Sequence, residues 1–179
     1  RFTRPLVALL CAAFTVAAQA QAFPNRSIKL VVPYGPGGAT DILGRLIAQK
    51  MTDLLGQPVI VENRAGAGGN LGMEFVARAA PDGYTIALAL TAQYVVNPAL
   101  YPSLPYDTLR DLVPVSIVCS YPMVLAVNAD APIRNVPELV AYLKAHPDKA
   151  NAGGTGSVYQ VTTKLFEMRT GSKTQFVTY

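Results

Sequence analysis

Hydrophobic and polar positions along this chain switch between two periods. A β-branched and aliphatic run from Ile28 to Val32 ends in Pro33 and predicts a buried strand. After the Pro36-Gly37-Gly38 break, apolar residues recur at Ile42, Leu43, Leu46, Ile47, Leu54 and Leu55, the period of a helix. Thr40 or Asp41 is placed to cap its start and Gly56 to stop it. Val59 to Val61 reads as a second strand. Gly66 to Gly69 then leads into a helix with Leu71, Phe75, Val76 and Ala79 on one face. Pro81-Asp82-Gly83 is a turn, and Thr85 to Leu90 a third strand. Strands and helices in that alternation predict right-handed crossovers and a parallel sheet.

The pattern loosens from Thr91 to Leu112, a stretch with three prolines that reads as a linker with one short helix around Val96 to Leu100. Val113 to Val118 and Val124 to Asn128 predict two more strands. The next helix has clear start signals: Asn135 as cap, Pro137 in the first turn and Glu138 three residues after the cap. Val136, Leu139, Val140 and Leu143 form its apolar face, and His146-Pro147 ends it. Ala150 to Gly153 predicts a short strand. A helix from about Val158 to Thr170 follows, with Val161, Leu165 and Met168 at helical spacing, and Gln175 to Thr178 reads as a strand. Two series of strand–helix units on either side of the loose stretch predict two α/β lobes. A parallel strand at the end of the sequence predicts a further crossover beyond Tyr179.

The first residues have a different character. Arg1 and Arg4 precede an apolar run from Leu6 to Ala18, followed by the overlapping small-residue patterns Ala18-Gln19-Ala20 and Ala20-Gln21-Ala22. This is the layout of a secretory signal peptide spanning 1–22, with a run shorter than the roughly 18–20 residues that a permanent membrane helix needs. A buried N-terminal helix is the competing reading. Cleavage leaves Cys119 as the only cysteine, which excludes an intramolecular disulfide, and its apolar surroundings predict a buried thiol. Taking Arg1 and Arg4 from 15 basic residues leaves 13 against 11 acidic ones, a net charge of about +2. No basic run accompanies it, so nucleic acid is not an expected partner.

Two glycine loops carry the candidate chemistry, each between a strand and a helix. Gly35-Pro36-Gly37-Gly38-Ala39-Thr40-Asp41 offers close backbone approach and one hydroxyl, and Gly154-Thr155-Gly156-Ser157 offers two hydroxyls. Ligands of open α/β sheets bind at the carboxyl ends of strands, where free N–H groups and the helix dipole favour an anion. Glycine also serves turn geometry alone. Asp41 either caps backbone or holds an ordered water, since its charge repels an anion placed directly against it.

Catalytic and nucleotide-binding patterns are missing. Gly66-Ala67-Gly68-Gly69-Asn70-Leu71 has Leu where the dinucleotide fingerprint needs Gly or Ala, and neither loop carries a P-loop Gly-Lys-Ser/Thr. The single histidine, His146, sits at a helix end, and no G-x-S-x-G elbow or spaced metal-ligand set is present. No enzyme activity and no cofactor or metal is expected.

The segments IKLVVPYGPGGATDILGRLIAQKM, LGQPVIVENRAGAGGNLGMEFVARAAPDGYTIALA, NPALYPSLPYDTLRDLVPVS and NVPELVAYLKAHPDKANAGGTGS resemble the tripartite tricarboxylate transporter receptors, or Bug-type solute receptors. The resemblance runs from Phe23 to Tyr179. It implies a two-lobed periplasmic binding protein of type II-like α/β fold, with lobe 1 beginning in 23–118 and lobe 2 in 119–179. It also implies a monomer that passes a small carboxylate, such as a di- or tricarboxylate, to large and small integral membrane subunits. The site implied comprises Tyr34, Pro36, Gly37, Gly38, Thr40 and Asp41, with Thr91 and Ala92 after the third strand. Gly154, Thr155, Gly156, Ser157 and Gln160 complete it from the second lobe. A periplasmic sensor feeding a two-component system would need the same cleft. Two departures stand out. Family members often carry Pro where Gly35 stands, and a serine-rich stretch ending in His where this chain has Ser157-Val158-Tyr159-Gln160, so Tyr159 and Gln160 are expected to shift ligand preference. Members also continue past Tyr179.

Overall fold

A computed structural model describes residues 23–147, 150–154 and 156–178. The segment read as a signal peptide, and Thr155 of the second glycine loop, lie outside the described residues.

The first sheet is built around strand β1 (Ile28–Val32), which runs between β2 (Val59–Asn63) and β3 (Thr85–Ala87) with both pairings parallel. Ile28 pairs with Val59 and Val32 with Asn63 on one side; Lys29 pairs with Thr85 and Val31 with Ala87 on the other. Val31 and Val32 are completely buried, as expected for a central parallel strand covered on both faces. Helix α1 (Ala39–Leu55) returns the chain from β1 to β2, and α2 (Asn70–Ala77) leads from β2 to β3. The core gathers Ile28, Leu30, Val32, Ala48, Val59 and Leu88, with Leu43, Ile47 and Met51 of α1 packed against it.

Helix faces differ from the apolar stripes read from sequence. On α1 the buried line runs Asp41, Gly44, Ala48, because small residues let the helix lie close to β1, while Ile42 and Leu46 are exposed. On α2 the buried residues are Asn70, Gly72 and Met73, and Leu71 faces out. Neither Thr40 nor Asp41 caps α1. Its N-cap is Gly38, with no side-chain hydrogen bond, whereas Gly56 closes the other end through its N–H to Thr52 O at 3.0 Å.

The helix after β3 begins earlier than predicted. A π-helical turn, Ala92–Val96, runs directly into the short helix α3 (Asn97–Leu100). The strands predicted at 113–118 and 124–128 do not form. Val113, Val115, Ile117 and Val124 are more than four-fifths exposed. A strand exists only through its neighbours' hydrogen bonds, and no described strand pairs with this stretch; Pro114 and Pro122 also remove two donors. Cys119, in the same stretch, is exposed rather than buried.

Helix α4 (Val136–Ala145) begins as its sequence predicts. Glu138 N–H donates to Asn135 Oδ1 at 3.0 Å, and the Glu138 carboxylate accepts from Arg134 N–H at 2.7 Å. Leu139 and Leu143 are its buried residues, while Val136 is half exposed. A second, two-stranded parallel sheet pairs β4 (Asn151–Gly154) with β5 (Gln175–Thr178) through helix α5 (Ser157–Thr170). The carboxylate of Glu167 ties that crossover together, accepting from Thr174 N–H at 2.7 Å and Lys164 at 2.9 Å. Val161, Leu165 and Met168 on α5 are substantially exposed, so its predicted apolar face is not the buried one.

Close approach of α2 to the end of β1 makes a specific demand at Gly72. A Cβ there would stand 2.9 Å from Arg64 O and 3.0 Å from Pro33 Cα. Alanine in a helix interior gains about 0.5–1 kcal/mol over glycine, but overpacking against backbone costs about 1–3 kcal/mol. Gly72→Ala in the complete protein is therefore expected to lower the urea midpoint, and a raised midpoint would contradict this packing.

Candidate ligand-binding site

Parallel pairing brings the loops after β1, β2 and β3 to one edge of the first sheet. Tyr34 to Gly38 follows β1, and Pro36, Gly37 and Gly38 of this loop are exposed. Gly37 has φ of 86°, a conformation that other residues adopt only with strain, and it turns the chain into α1. The first intrahelical bond of α1 runs from Ile42 N–H to Gly38 O, leaving the N–H groups of Ala39, Thr40 and Asp41 without intrahelical acceptors. Helix α5 begins in the same manner. Gly156, with φ of 91°, is its N-cap, again without a side-chain bond. By contrast α4 has its Asn135 cap. Helix α2 also starts at a glycine, but its beginning is closed in, with Asn70 only 4% exposed.

Asp41 is buried, and both of its oxygens are engaged by protein donors. Oδ2 accepts from Gly37 N–H at 2.9 Å and Arg45 Nε at 3.1 Å; Oδ1 accepts from Asn63 Nδ2 at 2.9 Å. Asn63 Nδ2 also donates to Tyr34 O at 3.0 Å. The carboxylate thus fastens the loop after β1 to the end of β2. The Arg45 guanidinium, then the Gly37 N–H and the Asn63 amide, lower its pKa from the ordinary 3.8 to about 2. Of the two roles left open for Asp41, the backbone-holding one is formed directly, on the loop ahead of its helix. Arg45 neutralises the charge that would otherwise repel an anion.

Gln93, which is fully buried, joins the three loops. Its Nε2 donates to Tyr34 OH and Gly68 O, both at 2.6 Å, and its Oε1 accepts from Leu90 N–H at 3.0 Å. These three partners follow β1, β2 and β3 in turn. Burial pushes the Tyr34 phenol above its ordinary pKa. Beside Gln93 lies a second buried group: Asn97 Nδ2 donates to Asn70 Oδ1 at 2.6 Å, and Tyr106 OH stands 3.1 Å from the same oxygen. Ser157 Oγ donates to Asn97 Oδ1 at 2.6 Å, which seats the start of α5 against the turn after β3.

The candidate residues therefore collect from several elements. Tyr34, Pro36, Gly37, Gly38, Thr40 and Asp41 form one loop and helix start. Thr91 is exposed and Ala92 buried at the start of the π turn. Gly154 ends β4, Gly156 caps α5, Ser157 reaches across to Asn97, and Gln160 is exposed one turn into α5. Sequence reading missed Gln93, Asn97, Asn70 and Tyr106. The available signal is a pair of amides, Gln93 and Asn97, within the loose stretch from Thr91 to Leu112. An open depression of about 320 Å³ lies at the opposite edge, lined by Arg26, Lys29, Asp82 and Tyr84 among others. Its cations are already paired, Arg26 with Asp82 and Lys29 with Glu62, each at 2.7 Å, and it carries no helix start.

Residues 43–179 match the Tripartite tricarboxylate transporter family receptor pattern. The chain belongs to that family. Protein BugT of Bordetella pertussis is 42% identical over 163 residues, covering 89% of this chain and 50% of that relative. Among solved structures, R. palustris Rpa4515 with adipate superposes at a TM-score of 0.81 and 33% identity, covering 88% of this chain and 53% of that one. MatC from Rhodopseudomonas palustris with bound malate gives 0.78 and 34%, covering 88% and 54%. The periplasmic binding protein BugD superposes at 0.69 and 31% identity, covering 88% of this chain and 53% of that one. The chain spans about half the length of these relatives. The fold is the α/β architecture of periplasmic binding proteins, and the family is one of solute receptors, not of enzymes.

The depressed pKa of Asp41 sets a pH signature. Its folded value lies below its unfolded one, so its stabilising effect is complete above about pH 4 and lost as pH falls toward 2. Asp41→Asn in the complete protein is expected to be less stable than wild type by a constant amount from pH 8 to 5. Urea unfolding should show that gap narrowing between pH 4 and 2; a gap independent of pH throughout would contradict the bonding described.

Proposed function

We propose that the complete protein is an extracytoplasmic receptor that grips a small carboxylate between its two glycine loops. It then delivers that ligand to the integral membrane subunits of a tripartite tricarboxylate-type secondary transporter. One observation carries this reading: α1 and α5 both begin at a glycine without a side-chain cap, and the Asn97–Ser157 bond holds the start of α5 at the edge from which α1 departs. Free N–H groups and two helix dipoles then favour one anion. Adipate and malate, bound by two structural neighbours, are both dicarboxylates, which supports a ligand of that class. Export by a signal peptide over 1–22, lobes beginning in 23–118 and 119–179, and action as a monomer in the periplasm belong to the same reading. Exposed Gln160, with Tyr159 beside it, is assigned to ligand preference.

A thermal-shift panel of the complete protein against adipate, malate and citrate, with the matching amides as controls, tests this. A ligand at 100 times its Kd adds about 2.7 kcal/mol, a rise in Tm on the order of 5 °C. Shifts are expected with an acid and not with its amide. Equal shifts with both, or none across the panel from folded, ligand-stripped protein, would overturn carboxylate binding.

A further inference from the structure

The two glycine loops belong to different sheets, and a line of buried polar side chains runs between them. Asn97 is 1% exposed and both ends of its amide are used: Nδ2 on Asn70 Oδ1, and Oδ1 on Ser157 Oγ, each at 2.6 Å. Asn70 opens α2 and lies within reach of Tyr106 OH, which in turn stands 3.2 Å from Gln93 O. Gln93 holds Tyr34, at the base of the first loop. A line of neutral polar contacts thus runs from the first loop to the first residue of α5, with the single Tyr106 hydroxyl proton shared between Asn70 Oδ1 and Gln93 O. Ser157 is the first residue of α5, just past the Gly156 N-cap, and its hydroxyl donates to Asn97.

We propose that Asn97 is a positioning residue of the ligand site: through Ser157 it sets the distance between the second glycine loop and the first. The proposal rests on the receptor reading only for its consequence in binding. Asn97 itself is covered by protein and acts through Ser157. Losing the bond should widen the spread of distances between the loops and weaken ligands of every shape alike. A single neutral hydrogen bond supports a loss of about 3- to 10-fold in affinity.

Two measurements on the complete protein separate the possibilities. Exposed Asp53 on α1 and Met168 on α5 are replaced by cysteine for spin labels, with exposed Cys119 changed to serine. Pulsed-EPR distances are recorded without added ligand for wild type, Ser157→Ala, Asn97→Ala and the double variant. Broader distributions are expected in each single variant, with the double no broader than Asn97→Ala, since Ser157 has no bond to Asn97 left to lose once the amide is gone. Adipate and malate titrations should show the same non-additive loss, with the ranking of the two acids unchanged. Should Asn97→Ala fold poorly, Ser157→Ala alone still reads the distance. Distances unchanged in Ser157→Ala, or additive losses in the double variant, would overturn the positioning role. If neither acid binds wild type, the receptor reading is in trouble while the EPR distances still decide the role of Asn97.

Discussion

Parallel hydrogen bonding on both sides of β1 is the constraint from which the rest of the site follows. Because β2 and β3 both run with β1, the chain leaves all three strands at the same edge and must return by helices. That edge therefore collects three loops and the start of α1. The opposite edge receives only strand beginnings, and its depression is lined by charges that already neutralise one another. The second sheet repeats the device on a smaller scale, with β4 delivering its glycine loop to the start of α5.

Loops rich in glycine are costly to order, and the chain offsets that cost with buried polar side chains. Asp41 holds Gly37 N–H and, with Asn63, the end of the Tyr34 segment. Gln93 reaches one group in each of the three loops. No described buried side-chain nitrogen or oxygen lacks a partner. Removing Gln93 would leave several buried groups unmet at about 1–3 kcal/mol each, which is why such amides order a site more firmly than packing alone. The backbone N–H groups at the starts of α1 and α5 have no side-chain cap.

The strand–helix alternation, the parallel sheet, the Asn135 cap and the two glycine loops were legible from sequence, because each depends on local spacing. β1 and β5 fall where their apolar runs place them. Buried faces were legible only in part: Leu139 and Leu143 are buried and Leu43 and Ile47 pack on the core as their spacing predicts, but Gly44 and Ala48 let α1 sit close to the sheet, so Ile42 and Leu46 point outward. The stretch from Val113 to Asn128 has strand composition but no described strand to pair with, and composition cannot supply one. Gln93 and Asn97 escaped notice because an amide becomes informative only once it is seen to be buried and paired. Their partners lie up to 60 residues away in the chain, beyond the reach of any spacing rule.

Amide chemical shifts of the complete ¹⁵N-labelled protein, followed while adipate or malate is titrated in, address the central claim most directly. Binding at the two glycine-capped helix starts predicts the largest changes at Gly37 to Asp41 and at Gly156 to Gln160, together and with one affinity. Changes concentrated around Arg26, Lys29 and Tyr84 at the opposite edge, with both glycine loops silent, would contradict it.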